Sequence, residues 1–182
     1  YAGDYAQAAD SDIFLITAGS RRKPDESRLD LVNRNVSIFM QILADIKAAG
    51  MKQDAIIFVV SNPVDILTHL AARDSGLPWQ QVIGLGTMLD TSRFSSLIAE
   101  ELNQAPTQVK ALLLGEHGDS MVPIWSSASI NGLPLAGLSQ WNQGLQNRLV
   151  TRTKGSVAEV ISRKGGAGWA VAIAIREVID AI

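Results

Sequence analysis

The sequence predicts an α/β protein: a partial, doubly wound parallel sheet followed by a mixed α+β unit. Three features carry that expectation. Short apolar runs alternate with stretches of helical periodicity up to Leu102, the alternation breaks after Pro106, and an Asn131-Gly132 turn then lies among short apolar stretches ahead of a helical C-terminal region. Alternating strand-length and helix-length segments imply parallel strands joined by crossovers. Asn-Gly between apolar runs implies antiparallel pairing instead.

Taken in order, residues 13–16 (Ile-Phe-Leu-Ile) form a short apolar run closed by Thr17-Ala18-Gly19, the pattern of a buried strand. Residues 20–25 are basic and contain a proline, hence a loop. Over residues 26–49, Leu31, Val32, Ile38, Phe39, Ile42, Leu43 and Ile46 recur at helical spacing, with Asn35 the polar exception, and Gly50 stops the helix. Residues 55–60 form a second buried strand, cut off by Ser61-Asn62-Pro63. A helix over 64–74 follows, then a third strand over 82–85 and a helix over 88–102. Beyond Pro106, a strand is expected over 109–114, a glycine-flanked loop over 115–119, and short antiparallel strands over 122–129 and around the Asn131-Gly132 turn. The chain then reads as helix from about Leu138, broken at Gly165-Gly166, with a last helix over 168–182. A boundary near Gly84 divides it into residues 1–84 and 85–182.

With 47% hydrophobic and 19% charged residues, the composition is that of a globular protein with a real core. A net charge of −2 argues against nucleic acid or an anionic membrane as partner. The absence of cysteine excludes disulfides and thiolate metal sites and fits a cytoplasmic setting. The longest apolar run, residues 169–175, is too short to cross a bilayer, and the first residues carry no signal-peptide pattern. The chain does not begin with methionine, which points to an internal piece of a longer protein. No internal repeat is visible.

Several side chains are candidates for chemistry. His117 lies in Gly115-Glu116-His117-Gly118-Asp119, directly after an apolar strand. The flanking glycines let the backbone bend and leave the ring accessible, and histidine is the natural proton shuttle near neutral pH. A surface loop histidine is the bland alternative. Asp90 and Arg93, three residues apart, share a helical face. The aspartate could orient His117 and the arginine grip a carboxylate. Equally, Thr87 and Asp90 resemble a capping box, which leaves Arg93 a surface charge. The basic stretch over 20–28 follows the C-terminal end of a strand, where open α/β sheets bind ligands. It is either a lid carrying positive charge to an anionic substrate or a solvated loop. Asn62, at the same edge, either contacts a ligand or forms a turn with Pro63. His69 reads as structural, the four tryptophans as core or interface, and no metal-ligand spacing, nucleophile elbow or P-loop is present.

Five collinear stretches together resemble the lactate/malate dehydrogenase family: Ile16-Thr17-Ala18-Gly19, Glu26-Ser27-Arg28-Leu29-Asp30-Leu31-Val32, Val60-Ser61-Asn62-Pro63-Val64-Asp65, Leu89-Asp90-Thr91-Ser92-Arg93-Phe94 and Leu114-Gly115-Glu116-His117-Gly118-Asp119-Ser120. The resemblance implies the second half of an NAD-binding Rossmann domain followed by part of a substrate domain. It also implies hydride transfer between NAD(H) and a small 2-hydroxy or 2-keto acid. His117 would be the acid/base and Asp90 its orienting partner. Arg93 would hold the substrate carboxylate, and Arg28 would polarise the carbonyl. Asn62 would contact substrate and nicotinamide. Gly19, Ser20, Asn35, Val60, Ser61 and Asn62 would line the NAD site. The family further implies a homodimer or homotetramer.

Within the family, Arg22 stands where lactate enzymes have glutamine and malate enzymes arginine, and Ala167 where lactate enzymes usually have threonine. A second cation matches the distal carboxylate of oxaloacetate and would be left unpaired by pyruvate. Malate/oxaloacetate is therefore the expected pair, with lactate/pyruvate the alternative. Asp25 replaces a common lid glycine, and Ser95 and Lys110 replace the arginine and histidine of sugar-bisphosphate-activated lactate enzymes.

No Gly-x-Gly-x-x-Gly occurs in the chain. In the family that motif binds the pyrophosphate at a helix N-terminus, within about seventy further upstream residues. The first strand would then be an exposed apolar edge, and the isolated chain is expected to be poorly stable and inactive. A noncatalytic homologue serving as a binding or oligomerisation module is the reading from another class. The intact His117, Asp90, Arg93, Arg28 and Asn62 speak for the enzyme.

Overall fold

The computed structural model describes residues 2–20, 27–164 and 168–182, with Arg28 described in its backbone alone. Three parallel strands organise the first unit, Tyr1–Leu85: β1 (Ile13–Ile16), β2 (Ile56–Val59) and β3 (Val82–Gly84), in the spatial order β1-β2-β3. Ile13 pairs with Ile56 through to Ile16 with Val59, and Ile57 with Val82 through to Val59 with Gly84. Ile57, Phe58 and Val59 of the central strand are completely buried. Successive strand residues face opposite sides, so both faces of β2 are covered, which is why it reads as an unbroken apolar run. β1 lies at one edge and exposes Leu15.

Two helices connect these strands, α1 (Arg28–Ala49) and α2 (Val64–Asp74). α1 starts two residues later than its periodicity suggests because Ser27 is the cap: its side-chain oxygen accepts from the Asp30 backbone N–H at 3.1 Å. The buried stripe of α1, Phe39, Leu43 and Ile46, joins Phe14, Ile16, Ile57, Val59, Leu67 and Ala71 in one core. Each such side chain contributes about 1.5–3 kcal/mol on burial.

The second unit, Gly86–Ile182, opens with α3 (Met88–Glu101). Its strands are two residues each: β4 (Val109–Lys110), β5 (Leu113–Leu114), β6 (Val122–Pro123), β7 (Ser129–Ile130) and β8 (Leu133–Pro134). They form an antiparallel sheet in the order β4-β7-β8 and a separate β5-β6 pair. The single strand expected over 109–114 is thus split between two sheets, because an apolar run does not say which strand will be its partner. The stretch over 122–129 is likewise divided by a 3₁₀ turn at Trp125–Ser127. Asn131 and Gly132, both at positive φ, turn the chain between β7 and β8 as the dipeptide predicts.

Helix resumes at α4 (Gln143–Lys164), five residues beyond Leu138, and ends with α5 (Gly168–Ala181). Asn142 sets the start of α4, its side chain accepting from the Leu145 N–H at 3.0 Å. The core of this unit is built from Phe94, Ile98, Leu113, Ile130, Leu135 and Leu149. Trp125 bridges Phe94 and Trp141 at centroid distances of 5.2 and 5.5 Å. Among the described residues, no helix is long and apolar enough to cross a membrane, and no cluster of His, Cys, Asp and Glu is suited to a metal ion.

Candidate active site

At the C-terminal ends of β1 and β2, one side chain ties two loops together. Asn35, buried in the middle of α1, accepts from the Ser20 N–H through Oδ1 at 2.7 Å. Its Nδ2 donates to the carbonyls of Ser20 at 3.3 Å and Asn62 at 3.0 Å. The polar exception in an otherwise apolar stripe is therefore the brace between the loop after β1 and the turn after β2. Ser61 adds to it, donating through Oγ to the carbonyls of Ile16 at 3.2 Å and Ala18 at 2.6 Å, while the Val60 N–H donates to Ile16 O at 2.9 Å. Asn62 is exposed, precedes a cis peptide bond to Pro63, and accepts from the Val64 N–H at 3.3 Å. Gly19 is exposed beside this brace. The structure thus brings Gly19, Ser20, Asn35, Val60, Ser61 and Asn62 to one edge of the sheet, the edge where open α/β sheets bind ligands.

In the second unit the structure gathers Asp90, Arg93 and His117. Asp90 sits in the first turn of α3 with its side chain only 2% exposed. One oxygen, Oδ2, lies 2.5 Å from Nδ1 of His117, and the other, Oδ1, accepts from Arg93 at 3.4 Å. A buried carboxylate without partners is expensive, and here both oxygens are engaged by donors. Its negative charge favours the imidazolium form of His117. The His117 side chain remains 26% exposed.

Local structure explains how His117 reaches Asp90. Gly115 turns the chain out of β5 at φ 93°, a conformation that L side chains rarely adopt. The Met121 N–H donates to the Gly118 carbonyl at 3.3 Å, the Ser120 hydroxyl donates to Glu116, and Lys154 of α4 donates to the Asp119 carbonyl. Arg93 also lines a groove of about 400 Å³ with Leu89, Leu97, Ala170 and Ile173. That volume lies in the range of small-molecule sites.

Two readings of the sequence change here. Thr87 makes no capping bond: its hydroxyl donates to the Leu113 carbonyl at 2.6 Å, so the capping-box account of Asp90 fails. Arg93 is not a free surface charge but reaches back to Asp90, its side chain 14% exposed. The hydroxyl of Thr91 is not singled out by the sequence, where a polar group directly beside Asp90 is the available signal; Ser61, expected at the NAD site, braces the loop after β1 through its hydroxyl. Arg22, the rest of the basic stretch over 21–26, and Ala167 lie outside the described residues, as does the Arg28 side chain.

The first unit is a parallel α/β unit with a braced loop edge, and the second carries a buried carboxylate between an imidazole and a guanidinium, groups able to exchange a proton and to pair with an anion. Residues 1–84 match the family model for the lactate/malate dehydrogenase NAD binding domain, and residues 87–182 match that for the lactate/malate dehydrogenase alpha/beta C-terminal domain. The chain belongs to the lactate/malate dehydrogenase family, whose cofactor is NAD.

Among its relatives, an L-lactate dehydrogenase of Synechococcus sp. (strain JA-3-3Ab) is 40% identical over 185 residues, covering 100% of this chain and 59% of that protein. One from Geobacillus thermodenitrificans is 40% identical over 184 residues, covering 99% and 57%. The crystal structure of the minor L-lactate dehydrogenase from Enterococcus mundtii in the ligands-bound form superposes with a TM-score of 0.94 at 37% identity, covering 99% of this chain and 58% of that one. The chain therefore spans just under three fifths of the length of these relatives.

Proposed function

We propose that the protein is an NAD-dependent L-lactate dehydrogenase, interconverting pyruvate and lactate. The observation that carries this reading is the Asp90 carboxylate, one oxygen on the His117 imidazole and the other on the Arg93 guanidinium. With Nδ1 held by Asp90, the other ring nitrogen, Nε2, is the one that exchanges a proton with substrate oxygen. In the reducing direction the imidazolium gives its proton to the oxygen on C2 of pyruvate, and in the oxidising direction the neutral ring takes it back. Asp90 favours the charged form and fixes the ring's orientation. Arg93 pairs with the substrate carboxylate, for which a planar guanidinium is suited. Arg28 is assigned, by family resemblance, to polarising the carbonyl as charge develops on its oxygen.

The nicotinamide, when bound, supplies or accepts the hydride. The residues at the β1–β2 edge suit that end of the cofactor: Gly19 has no side chain to block approach, and Asn62 is exposed with amide donors and an acceptor. Asn35 is buried and bonded to Ser20 and Asn62, so its part is to hold these loops. The family resemblance extends to working as a homo-oligomer, which light scattering tests.

The expectation of malate from Arg22 and Ala167 is not supported: the relatives compared above are L-lactate dehydrogenases, which fits the lactate alternative better. A cation near the site speaks for a second substrate carboxylate only where the fold aims it there, and neither residue lies among those described. The test, made on the protein at the full length of its relatives, is kcat/KM for pyruvate and for oxaloacetate with NADH as reductant. Preference for pyruvate is expected. Preference for oxaloacetate overturns the substrate assignment, and turnover of neither favours the noncatalytic reading.

A further inference from the structure

β5 is the strand that leads into the His117 loop, and among the described residues one of its edges is not covered by another strand. Its partner β6 pairs Leu113 with Pro123 and Leu114 with Val122, and the Ile124 N–H donates to the Leu112 carbonyl at 2.9 Å. In an antiparallel ladder the bonded positions alternate, so Leu112 faces β6 and Leu113 turns both its N–H and its C=O the other way. Pro123, opposite Leu113, has no N–H to offer in any case. Buried backbone groups need partners, and here they come from α3. The Leu113 N–H donates to Thr91 Oγ1 at 3.0 Å, Thr91 Oγ1 donates to the Leu113 carbonyl at 3.3 Å, and Thr87 Oγ1 donates to the same carbonyl at 2.6 Å.

We propose that Thr91, assisted by Thr87, is a positioning residue for His117. Its hydroxyl takes the place of a neighbouring strand on β5 and sets where the 115–121 loop delivers the imidazole. Thr91 directly follows Asp90 on α3, and Leu113 lies four residues before His117. The bond that holds the strand to the helix therefore sits beside both members of the acid–base pair. A hydroxyl, which donates and accepts at one atom, suits this place; a methyl group of the same size does neither. Among the described residues, the charged groups around His117 include Asp90 and Arg93 on α3, Glu116 and Asp119 in its own loop, and Lys154 of α4 on the Asp119 carbonyl. None is altered by the threonine variants below.

The inference rests on the reading of His117 as proton donor, yet its test needs no turnover. The sequence holds two histidines, His69 and His117, so the imidazole NMR signals of the full chain are readily assigned and His69 serves as internal reference. Thr91→Val removes the hydroxyl at nearly constant volume. The His117 titration midpoint is expected to fall, towards that of Asp90→Asn, as the carboxylate loses its grip on the imidazolium. The His69 midpoint stays put, and Thr91→Ser restores the His117 value. If Thr91→Val does not fold by circular dichroism, Thr87→Val takes its place, with a smaller fall in the same direction expected. A folded variant with lowered thermal stability and an unmoved His117 midpoint overturns the proposal, leaving the threonines a merely structural role. Failure of the lactate reading shows differently: no pyruvate reduction, with the His117 titration still responding to Thr91.

Discussion

Asp90 and His117 are 27 positions apart in the chain, yet Oδ2 of the one lies 2.5 Å from Nδ1 of the other, with the carboxylate 2% exposed. Replacing Asp90 by asparagine keeps the volume and removes the charge that favours the imidazolium. Pyruvate reduction is expected to fall on the order of 10²–10⁴-fold in kcat. Steady-state kinetics check this, and a variant within threefold of the parent contradicts the assigned roles.

Arg93 offers a planar fork to a carboxylate and leans on Asp90 at 3.4 Å. Arg93→Lys keeps the charge and loses the fork. Losing a charge-assisted hydrogen bond costs about 1.5–3 kcal/mol, or roughly 10–150-fold in kcat/KM. The loss should appear mainly as a raised KM for pyruvate, with KM for NADH little changed. An unchanged KM for pyruvate places the substrate carboxylate elsewhere.

Asn35 makes three hydrogen bonds to the two loops it joins, and Asn35→Ala removes all of them. Leaving the partnered backbone groups unsatisfied is expected to cost about 1–3 kcal/mol of stability. It should also weaken NADH binding, because Ser20 and Asn62 lose their common anchor. Denaturant melts and NADH fluorescence titration read the two effects; wild-type affinity in a destabilised variant assigns Asn35 to folding alone.

Gly84 ends β3 against α2. A β-carbon built on it would stand 2.4 Å from Oγ1 of Thr68, a hydroxyl itself bonded to the Val64 carbonyl at 2.7 Å. Gly84→Ala is expected to destabilise the protein by about 1–3 kcal/mol through this overlap. Pairing it with Thr68→Ala, which removes the overlapping oxygen, should recover part of the loss, and thermal melts of the single and double variants decide.

The periodicity of apolar residues carried the first unit almost complete: β1, β2, β3 and the helices between them fall within two residues of their expected limits, because parallel βαβ units bury continuous strands and single stripes of helix. The residue types Asp90, Arg93 and His117 could also be picked out in one dimension. Their convergence is implied only by the family resemblance and not by local pattern, since it depends on which strand edge α3 packs against. The second unit was read less well for the same reason. Its two-residue strands owe their partners to Pro123, to the turn at Trp125 and to threonine hydroxyls acting across the fold, and none of these leaves a periodic trace. Local pattern is set by neighbours along the chain, whereas hydrogen-bond partners between distant segments are chosen only when the core closes around them.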